Sequence, residues 1–538
     1  MTTGADIIAR KLHTAGCRHA FGIPGGEVLA LMQALDEADL KFVLVKHENA
    51  GGFMAEGGWH ADGAPGVLLA TLGPGAANAI NVVANAWQDR VPLIFLTGCV
   101  DQGESESYTH QVFDHQQLLR PIVKASFSAR LGALDVMMEK ALAIALDGQP
   151  GPVHIDVPIK VAETDTDETW SNVFKSFPAN SAPIQGSDLT DALALFAKAQ
   201  RPIAIAGVDA ANENASEEIS EFCRTYQIPL VTSYKGKGLL DENDPLALGG
   251  AGLSPKADGL LLPLINQSDC ILLLGYDPIE MRVNWREPWT ADAPVIDVTP
   301  VLRTHGMHSV AASLRSSVIP ALELLSRSRD QSKPSWVSGE PGKVHRELAA
   351  AFSPESSGWG PGTAFHVLRK VMPANTVATA DSGAHRILVS QVWKCSGPRQ
   401  MLQSSALCTM GCAVPLAMGH RLVDETAPVI AFVGDAGLEM CLGELSTLRD
   451  LKIPVIICVL VDTSLSLIEL KQRNSQRPNV GVDFGETDFP AIAHAYGGHG
   501  VWIENAHDLQ FEAKAALDRD GFTLLACRIA PRAYDGAF

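Results

Sequence analysis

The chain is short of basic residues and of long uninterrupted apolar stretches. It has 42 Lys and Arg against 61 Asp and Glu, which gives a formal net charge of −19. This excess of acid disfavours general binding to nucleic acid or to an anionic membrane surface, so neither is expected as a partner. No window of 18 residues is free of charge and apolar enough to cross a bilayer, and no membrane span is expected.

Paired cysteines and targeting signals are also scarce. The ten cysteines are scattered, and Cys408 and Cys412 are not spaced as a CxxC pair. Cysteines in apolar surroundings, such as Cys270 and Cys458, are typical of buried reduced thiols in a cytosolic protein. The N-terminus, MTTGADIIARKLHTAG, has no signal-like cleavage site and predicts an amphipathic helix. We therefore expect a cytoplasmic location.

What the chain does have is enough apolar residues for several cores. Apolar residues make up 46% of the 538 positions, and this length predicts two to four domains. Short apolar runs alternate with helix-like segments, the pattern of doubly wound α/β domains with parallel sheets. We predict three such domains, at 1–175, 186–328 and 344–538, with polar linker-like stretches at 161–188 and 326–343. Strands are predicted at 42–45, 66–71, 92–97, 152–157, 202–207, 229–233, 270–275, 294–298, 376–381, 428–433, 454–461 and 523–529. The similar size of the three blocks suggests duplication at the level of domains.

Two acids at the ends of apolar runs carry the strongest functional signal. VIAFV (429–433) is followed by Gly434-Asp435-Ala436-Gly437, and PVIICVLV (454–461) is followed by Asp462. Because the carboxyl ends of parallel strands lie side by side, both carboxylates are expected at one ligand-binding edge of a sheet. Next to glycine-opened turns and a helix N-terminus, they can hold Mg²⁺ against a diphosphate.

This layout resembles the metal motif of thiamine diphosphate (ThDP) enzymes, and the resemblance to the acetolactate synthase type covers nearly the whole chain. The further matching segments are GIPGG (22–26), HENAGGFMAEG (47–57), TLGPGAANAINVV (71–83), ADSGAHRILVSQVW (380–393) and SSALCTMGCAVPLAMG (404–419). The resemblance implies ThDP and Mg²⁺ as cofactors. It also implies an enzyme that decarboxylates a 2-oxo acid and ligates the acyl unit to a second carbonyl compound.

Within the first block, the resemblance implies that Glu48 hydrogen-bonds the aminopyrimidine ring of ThDP and activates it, and that Gly26 contacts the cofactor. The alternative for Glu48 is a solvated carboxylate in the first turn of a helix, favoured by the helix dipole. Gln111 matches a Gln of the family's substrate loop, whereas His110 replaces a Phe. The alternative for His110 is a loop residue without a role in substrate binding.

Within the third block, the resemblance implies several contacts to the cofactor. Met410 would hold ThDP in its bent shape, and the Cys408 carbonyl would accept from the amino group. The residues placed around the diphosphate are Gly383, His385, Asp435, Ala436 and Gly437, and the implied metal ligands are Asp435, Asp462 and the carbonyl of Ser464. Asp462 stands where the family has Asn, which keeps an oxygen ligand but adds a negative charge.

The choice of reaction depends on two further positions. Ile468 stands where decarboxylases of the family have a Glu that protonates the product, so ligation is favoured over release of an aldehyde. Lys471 replaces the Trp that recognises the second oxo acid in acetolactate synthases, which points to a different acceptor. A simple decarboxylase, a lyase or a diketone hydrolase of the same superfamily is the alternative function. A non-catalytic subunit and a generic nucleotide-binding protein are the other possibilities, disfavoured by Glu48, Asp435 and the whole-length motif order.

The resemblance bears on the middle block and on assembly as well. Some family members bind FAD there, but GYDPIEMR (275–282) only loosely resembles their flavin-contacting element, so FAD is not expected. Because the two ends of each cofactor are held by different subunits in this family, the minimum unit implied is a homodimer, and a homotetramer is expected.

Overall fold

Three parallel sheets organise the chain, and each has six strands within the part of the chain that the structure describes. The computed structural model describes residues 2–101, 103–104, 107–174, 181–281, 285–303, 305–333, 335–356 and 358–538. Strands inside the sheets are continuous apolar runs because both of their faces are covered by helices, and whole strands are therefore buried. The predicted fold class, three doubly wound α/β domains, is confirmed.

The first region contains eight strands and eight α-helices among its described residues. They are β1 (Thr2–Thr3), α1 (Gly4–Thr14), β2 (His19–Ile23), α2 (Leu29–Glu37), β3 (Lys41–Leu44), α3 (Glu48–Asp62), β4 (Gly66–Ala70), α4 (Pro74–Asn78), α5 (Ile80–Gln88), β5 (Leu93–Cys99), α6 (His115–Leu119), β6 (Ala125–Ser128), α7 (Leu134–Leu146), β7 (Pro152–Pro158), α8 (Ile159–Glu163) and β8 (Asp165–Thr166). Short 3₁₀ turns lie at Gly26–Val28 and Arg120–Ile122.

The second region contains six strands and five α-helices among its described residues. They are α9 (Ser187–Lys198), β9 (Pro202–Ala206), α10 (Val208–Asn212), α11 (Ser216–Tyr226), β10 (Leu230–Thr232), β11 (Ala247–Gly250), α12 (Pro255–Ile265), β12 (Cys270–Leu274), β13 (Val295–Thr299), β14 (Ala312–Arg315) and α13 (Val318–Ser328). A 3₁₀ turn lies at Pro278–Glu280, and Arg282, the last residue of the predicted flavin-like element, lies outside the described residues.

The third region contains six strands and nine α-helices among its described residues. They are α14 (Glu340–Ala351), α15 (Pro361–Val371), β15 (Val377–Ala380), α16 (Ala384–Val392), β16 (Met401–Gln403), α17 (Ala413–Val423), β17 (Val429–Gly434), α18 (Asp435–Glu439), α19 (Glu444–Leu451), β18 (Ile456–Val461), α20 (Ser466–Asn474), α21 (Phe489–Ala495), β19 (His499–Ile503), α22 (Ala506–Ala516) and β20 (Thr523–Arg528).

Strand order shows which regions are alike. The first sheet runs β3-β2-β4-β5-β7-β6 and the third runs β16-β15-β17-β18-β20-β19, so the two have the same order relative to the chain. The second sheet runs β11-β10-β9-β12-β13-β14, the order of a dinucleotide-binding fold. The expected duplication therefore applies to the first and third regions, and the second region is built differently.

The first and third regions pack through equivalent helices. Helices α3 and α17, each of which follows the second strand of its sheet, are in close contact, and residues of both regions share one apolar core. A Cβ at Gly57 would lie 2.2 Å from the Leu416 carbonyl oxygen, and a Cβ at Gly419 would lie 1.8 Å from the Met54 oxygen. The two glycines thus allow the two backbones to approach along both helices.

One expectation about a segment outside the sheets is modified by the structure. The linker predicted at 161–188 starts too early, because α8 continues to Glu163 and β8 pairs antiparallel with β1. Among the described residues, no helix is both long enough and apolar enough to cross a membrane. The domain limits 1–175, 186–328 and 344–538 stay predictions.

Candidate active site

The candidate active site lies at the carboxyl edge of the third sheet, where its strand order reverses between β15 and β17. A cavity of about 120 Å³ opens there. It is lined by Ser382, Gly383, Ala384, His385, Met410, Gly434, Asp435, Ala436, Gly437, Leu460, Asp462, Ser464, Leu465, Ser466, Leu467, Ile468 and Tyr534. Such a switch point is the position at which open α/β sheets bind ligands. Eight of the residues that the sequence predicted for the cofactor and the metal are brought together in it.

The two acids predicted from the sequence occupy adjacent strand ends. Asp435 Oδ2 accepts hydrogen bonds from the backbone N–H of Thr463 at 2.7 Å and of Asp462 at 3.1 Å. Asp435 Oδ1 accepts from the Ala436 N–H at 2.9 Å, and the Ser466 hydroxyl donates to Asp462 Oδ2. The loop after β18 is therefore fastened to the first acid, which fixes the separation of the two carboxylates.

Among the described residues that line the cavity, there is no lysine or arginine to balance the charge of either carboxylate. Burial raises the pKa of Asp462 to about 6, and the neighbouring charge of Asp435 raises it further in the same direction. Burial also raises the pKa of Asp435. A buried and a half-buried carboxylate whose charged forms are disfavoured by burial can bind a hard divalent cation, which prefers oxygen ligands.

The His385 ring is positioned by Asp381, an acid to which sequence analysis gave no role. His385 Nε2 lies 2.7 Å from Asp381 Oδ1, and Asp381 Oδ2 accepts from the Gly411 N–H at 2.8 Å. A Cβ at Gly437 would lie 2.1 Å from Asp381 Oδ2, so glycine is needed there for the carboxylate to fit. Asp381 thus joins the start of α16, the Met410 turn and the loop after β17, and its place directly after a strand was the available signal.

In each of three loops around the candidate sites, one residue other than glycine has a left-handed backbone conformation. Gln111, Cys408 and Thr463 have φ of 61°, 60° and 56°. Such conformations cost free energy and often occur where function requires a fixed loop. At Cys408, the Arg386 guanidinium donates to the Sγ atom at 3.3 Å. The hydroxyl of Thr409 donates to Asn81 of α5, which fastens this loop to the first region.

The C-terminal segment supplies a wall that the sequence did not indicate. Tyr534, which is 4% exposed, lines the cavity opposite the two acids. Burial raises the pKa of its hydroxyl well above the usual value, and the charge of Asp462 adds to that shift. By contrast, Lys471 is exposed and does not line this cavity.

Glu48 lies at the corresponding edge of the first sheet. It is the first residue of α3, is 3% exposed, and its Oε2 accepts from the Asn78 amide at 3.0 Å. A Cβ at Gly75 would lie 3.3 Å from Glu48 Oε1. Glu48 is therefore not the solvated first-turn carboxylate that the alternative interpretation requires.

The backbone before Glu48 is fixed by the third region. Glu444, at the start of α19, accepts hydrogen bonds through Oε1 from the N–H groups of Lys46 at 2.9 Å and His47 at 3.1 Å. Sequence analysis missed this residue, because nothing in the sequence relates position 444 to position 46. The contact links the positions of the two candidate half-sites within one chain.

A buried histidine supports the glycine loop beside Glu48. The Gly73 N–H donates to His115 Nε2 at 3.1 Å, so the ring proton lies on Nδ1, which donates to Asp156 Oδ1 at 2.8 Å. The side chains of His115, His154 and Asp156 lie close enough together to share a metal ion. However, both ring nitrogens of His115 are already engaged in hydrogen bonds. Hydrogen bonds from His115 and His154 outweigh burial and lower the pKa of Asp156. The cluster is a hydrogen-bonded support for residues 73–75.

The remaining predicted residues of the first region lie near this loop and outside the cavity. His110 and Gln111 are exposed, and a Cβ at Gly73 would lie 2.3 Å from the Gln111 carbonyl oxygen. Gly26 begins a 3₁₀ turn and has no atom within 4 Å of the place where a Cβ would be. The described chain therefore carries two separate half-sites, one around Glu48 and one around Asp435.

Comparison with known proteins agrees with this geometry. Three family models match: the N-terminal TPP binding domain of thiamine pyrophosphate enzymes at residues 2–118, their central domain at 189–324 and their C-terminal TPP binding domain at 381–527.

Curated relatives match over nearly the full length. A probable acetolactate synthase large subunit of Methanocaldococcus jannaschii is 30% identical, over 96% of this chain and 90% of the relative. The acetolactate synthase large subunit of Buchnera aphidicola from Schizaphis graminum is 28% identical, over 96% and 92%. The isozyme 1 large subunit of Escherichia coli is 27% identical, over 98% and 94%. The chain therefore belongs to the thiamine pyrophosphate enzyme family and is an enzyme of the acetolactate synthase type.

Proposed function

We propose that the protein is a ThDP- and Mg²⁺-dependent carboligase that decarboxylates a 2-oxo acid such as pyruvate and joins the acyl unit to a second carbonyl compound. The observation that carries the proposal is the pair of acids at the switch point of the third sheet, the buried Asp435 and the half-buried Asp462, in a cavity that apolar side chains also line. The full-length similarity to acetolactate synthases supports the choice of reaction class.

The residues around the cavity fit the diphosphate end of the cofactor. Asp435, Asp462 and the Ser464 carbonyl would hold Mg²⁺, because hard oxygen ligands suit that ion and the two carboxylates are not otherwise neutralised. The N–H groups of Ala436 and Gly437 lie in the first turn of α18, where backbone donors favour phosphate oxygens. Gly383 and His385 complete the phosphate-facing wall.

The other end of the cofactor is assigned to Glu48, Gly26, Met410 and Cys408. Glu48 is buried with one amide partner, so its carboxyl group can exchange a proton with a ring nitrogen without competition from water. When bound, ThDP supplies the carbon nucleophile and the electron sink for loss of CO₂. The chain's own residues orient that group, exclude water and hold the proton at Glu48 Oε.

The apolar wall favours ligation over aldehyde release. Among the described residues that line the cavity, Asp435 and Asp462 are the only carboxylic acids, and both are assigned to the metal. Ile468, which stands where decarboxylases of the family have a proton-donating Glu, lines the cavity together with Leu467. His385 is hydrogen-bonded to Asp381 and faces the diphosphate. His110 and Gln111 are assigned to the substrate, on a loop held against Gly73.

A second copy of the chain is proposed to complete the site. A cavity of 120 Å³ encloses part of ThDP only, since sites for whole ligands of that size occupy roughly 300 Å³ or more. The residues that line it all belong to the third region. A homodimer, in which the Glu48 half-site of one copy covers the Asp435 half-site of the other, is therefore the minimum proposed unit. The homotetramer and the cytoplasmic location stay predictions.

We further propose that the second region works without FAD. At the switch point of its sheet, Asp209 in α10 and Asp277 in the loop after β12 lie close together, and the Gln149 amide donates to both carboxylates. Burial and the charge of Asp277 raise the pKa of Asp209 to about 7. Arg90 donates to Asp277 at 2.9 Å and Arg303 lies 3.9 Å from Asp209, so these two cations are already paired with carboxylates rather than free to face a pyrophosphate, which this edge of such sheets otherwise binds. A flavin absorption band in the purified protein would contradict this proposal.

The cofactor requirement tests the proposed function. Protein stripped with EDTA is expected to release CO₂ from pyruvate or another 2-oxo acid only when both ThDP and Mg²⁺ are restored. Release of CO₂ without either one would contradict the assigned half-site. No release from any 2-oxo acid by the fully loaded protein would contradict the decarboxylation itself.

A further inference from the structure

A second cavity lies between the second and third regions, away from the candidate active site. Its volume is about 530 Å³. One side is formed by the segment from Lys237 to Gly250, and the other by α14, α15 and the end of α16. The candidate active site lies at the start of α16 and this cavity at its end, so the two are separated by the length of a nine-residue helix.

This cavity is basic in a chain whose net charge is −19. Arg369, Lys370 and Lys394 line it, and none of the three forms an ion pair within the described part of the chain. The Arg369 guanidinium lies over the Trp393 ring at 4.7 Å, and its Nη1 atom is buried without a hydrogen-bond partner in the described structure. Lys394 likewise has no hydrogen-bond partner there.

The carboxylate on the wall of this cavity does not neutralise these cations. Glu242 is the only acid among the described lining residues. Both of its oxygens accept from the buried Lys237 ammonium, at 2.7 and 2.8 Å, and Oε2 also accepts from the Cys395 N–H at 2.8 Å. Glu242 and Lys237 therefore form a neutral pair, and about three positive charges remain.

The ends of two helices offset only part of this charge. Arg369 and Lys370 lie in the last turn of α15, and Lys394 follows the end of α16. A helix C-terminus carries about half a negative charge, so two of them offset about one of the three cations. Burial lowers the pKa of Lys394 and of Arg369.

We propose that this basic cavity binds the phosphate group of a small molecule. Arg369 and Lys394 would hold the phosphate oxygens through charge-assisted hydrogen bonds, and Lys370 would add a third charge at the rim. Leu348, Phe352 and Val392 supply an apolar wall on which an organic group can pack. The ligand could be free phosphate or an organic phosphate, because both carry the phosphate group that this cavity would recognise. The proposal does not depend on the reaction catalysed at the other end of α16.

Isothermal titration calorimetry tests the proposal with inorganic phosphate and phenyl phosphate as probes. The protein is first saturated with ThDP and Mg²⁺, so that the diphosphate half-site does not take up the probe. The test variants are Lys394→Gln and Lys370→Gln, which remove one charge each without disturbing the Arg369 stack. Lys343→Gln is the matched control, because Lys343 is on α14, is 71% exposed and does not line the cavity.

We expect saturable binding of phosphate to the wild-type protein and to Lys343→Gln. Lys394→Gln should weaken it about tenfold, the value of one charge-assisted hydrogen bond. Tighter binding of phenyl phosphate would identify an organic phosphate that uses the apolar wall, and equal binding would identify free phosphate. Absence of saturable binding, or equal affinity in the wild type and both test variants, would overturn the proposal.

Discussion

At the scale of single residues, the chemistry depends on a few side chains whose surroundings restrict what they can do. Glu48 is buried and has one amide partner, so its second carboxyl oxygen is available to a ligand. Asp435 has its oxygens engaged by backbone N–H groups and acts as the fixed point for the loop that carries Asp462. The resemblance implied roles for both residues, but their hydrogen-bond partners came only from the structure.

Replacing Glu48 with Gln should abolish most turnover without loss of the cofactor. An amide keeps the size and the hydrogen bond to the side chain of Asn78 but cannot exchange the proton, so we expect kcat to fall about 100-fold or more. Steady-state kinetics and calorimetric binding of ThDP measure the two effects. Glu37→Gln, an exposed position on α2, is the control with the same change of charge. Near-normal kcat in Glu48→Gln would contradict the assigned role.

Asp462 should contribute more to cofactor retention than to the fold. Asp462→Ala removes an oxygen ligand, and we expect the ThDP concentration for half-maximal activity to rise about tenfold or more. Asp462→Asn keeps an oxygen and should show a smaller rise. The exposed Asp450→Ala serves as the control for loss of an acid. An unchanged requirement in Asp462→Ala would show that the metal loop is misassigned.

At the scale of elements, burial explains which strands could be predicted. The two-residue strands β1 and β8 were not predicted. Within the three six-stranded sheets, the twelve predicted strands match strands of the structure, and six more were missed. Five of these, β6, β11, β14, β16 and β19, are edge strands, which are short or half-buried and lack a continuous apolar run. The sixth, β2, is interior but contains Gly22, where a Cβ would lie 1.8 Å from the Leu69 oxygen. Contacts between elements, such as Glu444 with the loop before α3, leave no local signal in the sequence.

The contact between α3 and α17 should depend on its glycines. Gly419→Ala places a methyl group against the Met54 carbonyl, and we expect a loss of about 3 kcal/mol of stability. Gly259, inside α12, has nothing within 4 Å of a Cβ, so Gly259→Ala should stabilise by about 0.5 kcal/mol instead. Thermal unfolding of both variants measures the difference. Equal midpoints would contradict close packing of the two helices.

The support of the glycine loop by His115 should be visible as local stability. His115→Ala leaves the Gly73 N–H without its partner and removes one of the hydrogen bonds to the buried Asp156, at a cost of about 1–3 kcal/mol. Hydrogen exchange in residues 71–78 should become faster and kcat should fall, while the exposed His507→Ala changes neither. If hydrogen exchange in residues 71–78 were equally slow in His115→Ala and His507→Ala, the positioning role of His115 would be contradicted.

At the scale of the whole molecule, the regions are joined by buried charged groups whose titration affects stability. The pKa of Asp209 is raised to about 7, above that of the unfolded chain, because of burial and Asp277. The folded protein therefore holds this proton more tightly, and the associated stability is lost as the pH rises from about 4 to about 7, by about 1.4 kcal/mol per unit. Glu213, also raised to about 7, adds a change of the same sign.

Asp209→Asn should therefore flatten the dependence of stability on pH. Between pH 5 and 8 the unfolding temperature of the variant should fall less than that of the wild type, whereas the exposed Asp292→Asn should follow the wild type. The remaining fall in Asp209→Asn is expected from Glu213. Parallel curves for wild type and Asp209→Asn would show that Asp209 does not titrate in this range.

The identity of the product tests the central claim most directly. Protein loaded with ThDP and Mg²⁺ is given pyruvate alone and then pyruvate with a series of aldehydes and 2-oxo acids, and the products are identified by mass spectrometry. The account predicts CO₂ together with acetolactate or a mixed acyloin, because Asp435 and Asp462, the only carboxylic acids among the described lining residues, are both assigned to the metal. Free acetaldehyde as the main product, in the presence of every acceptor, would contradict the proposed carboligation.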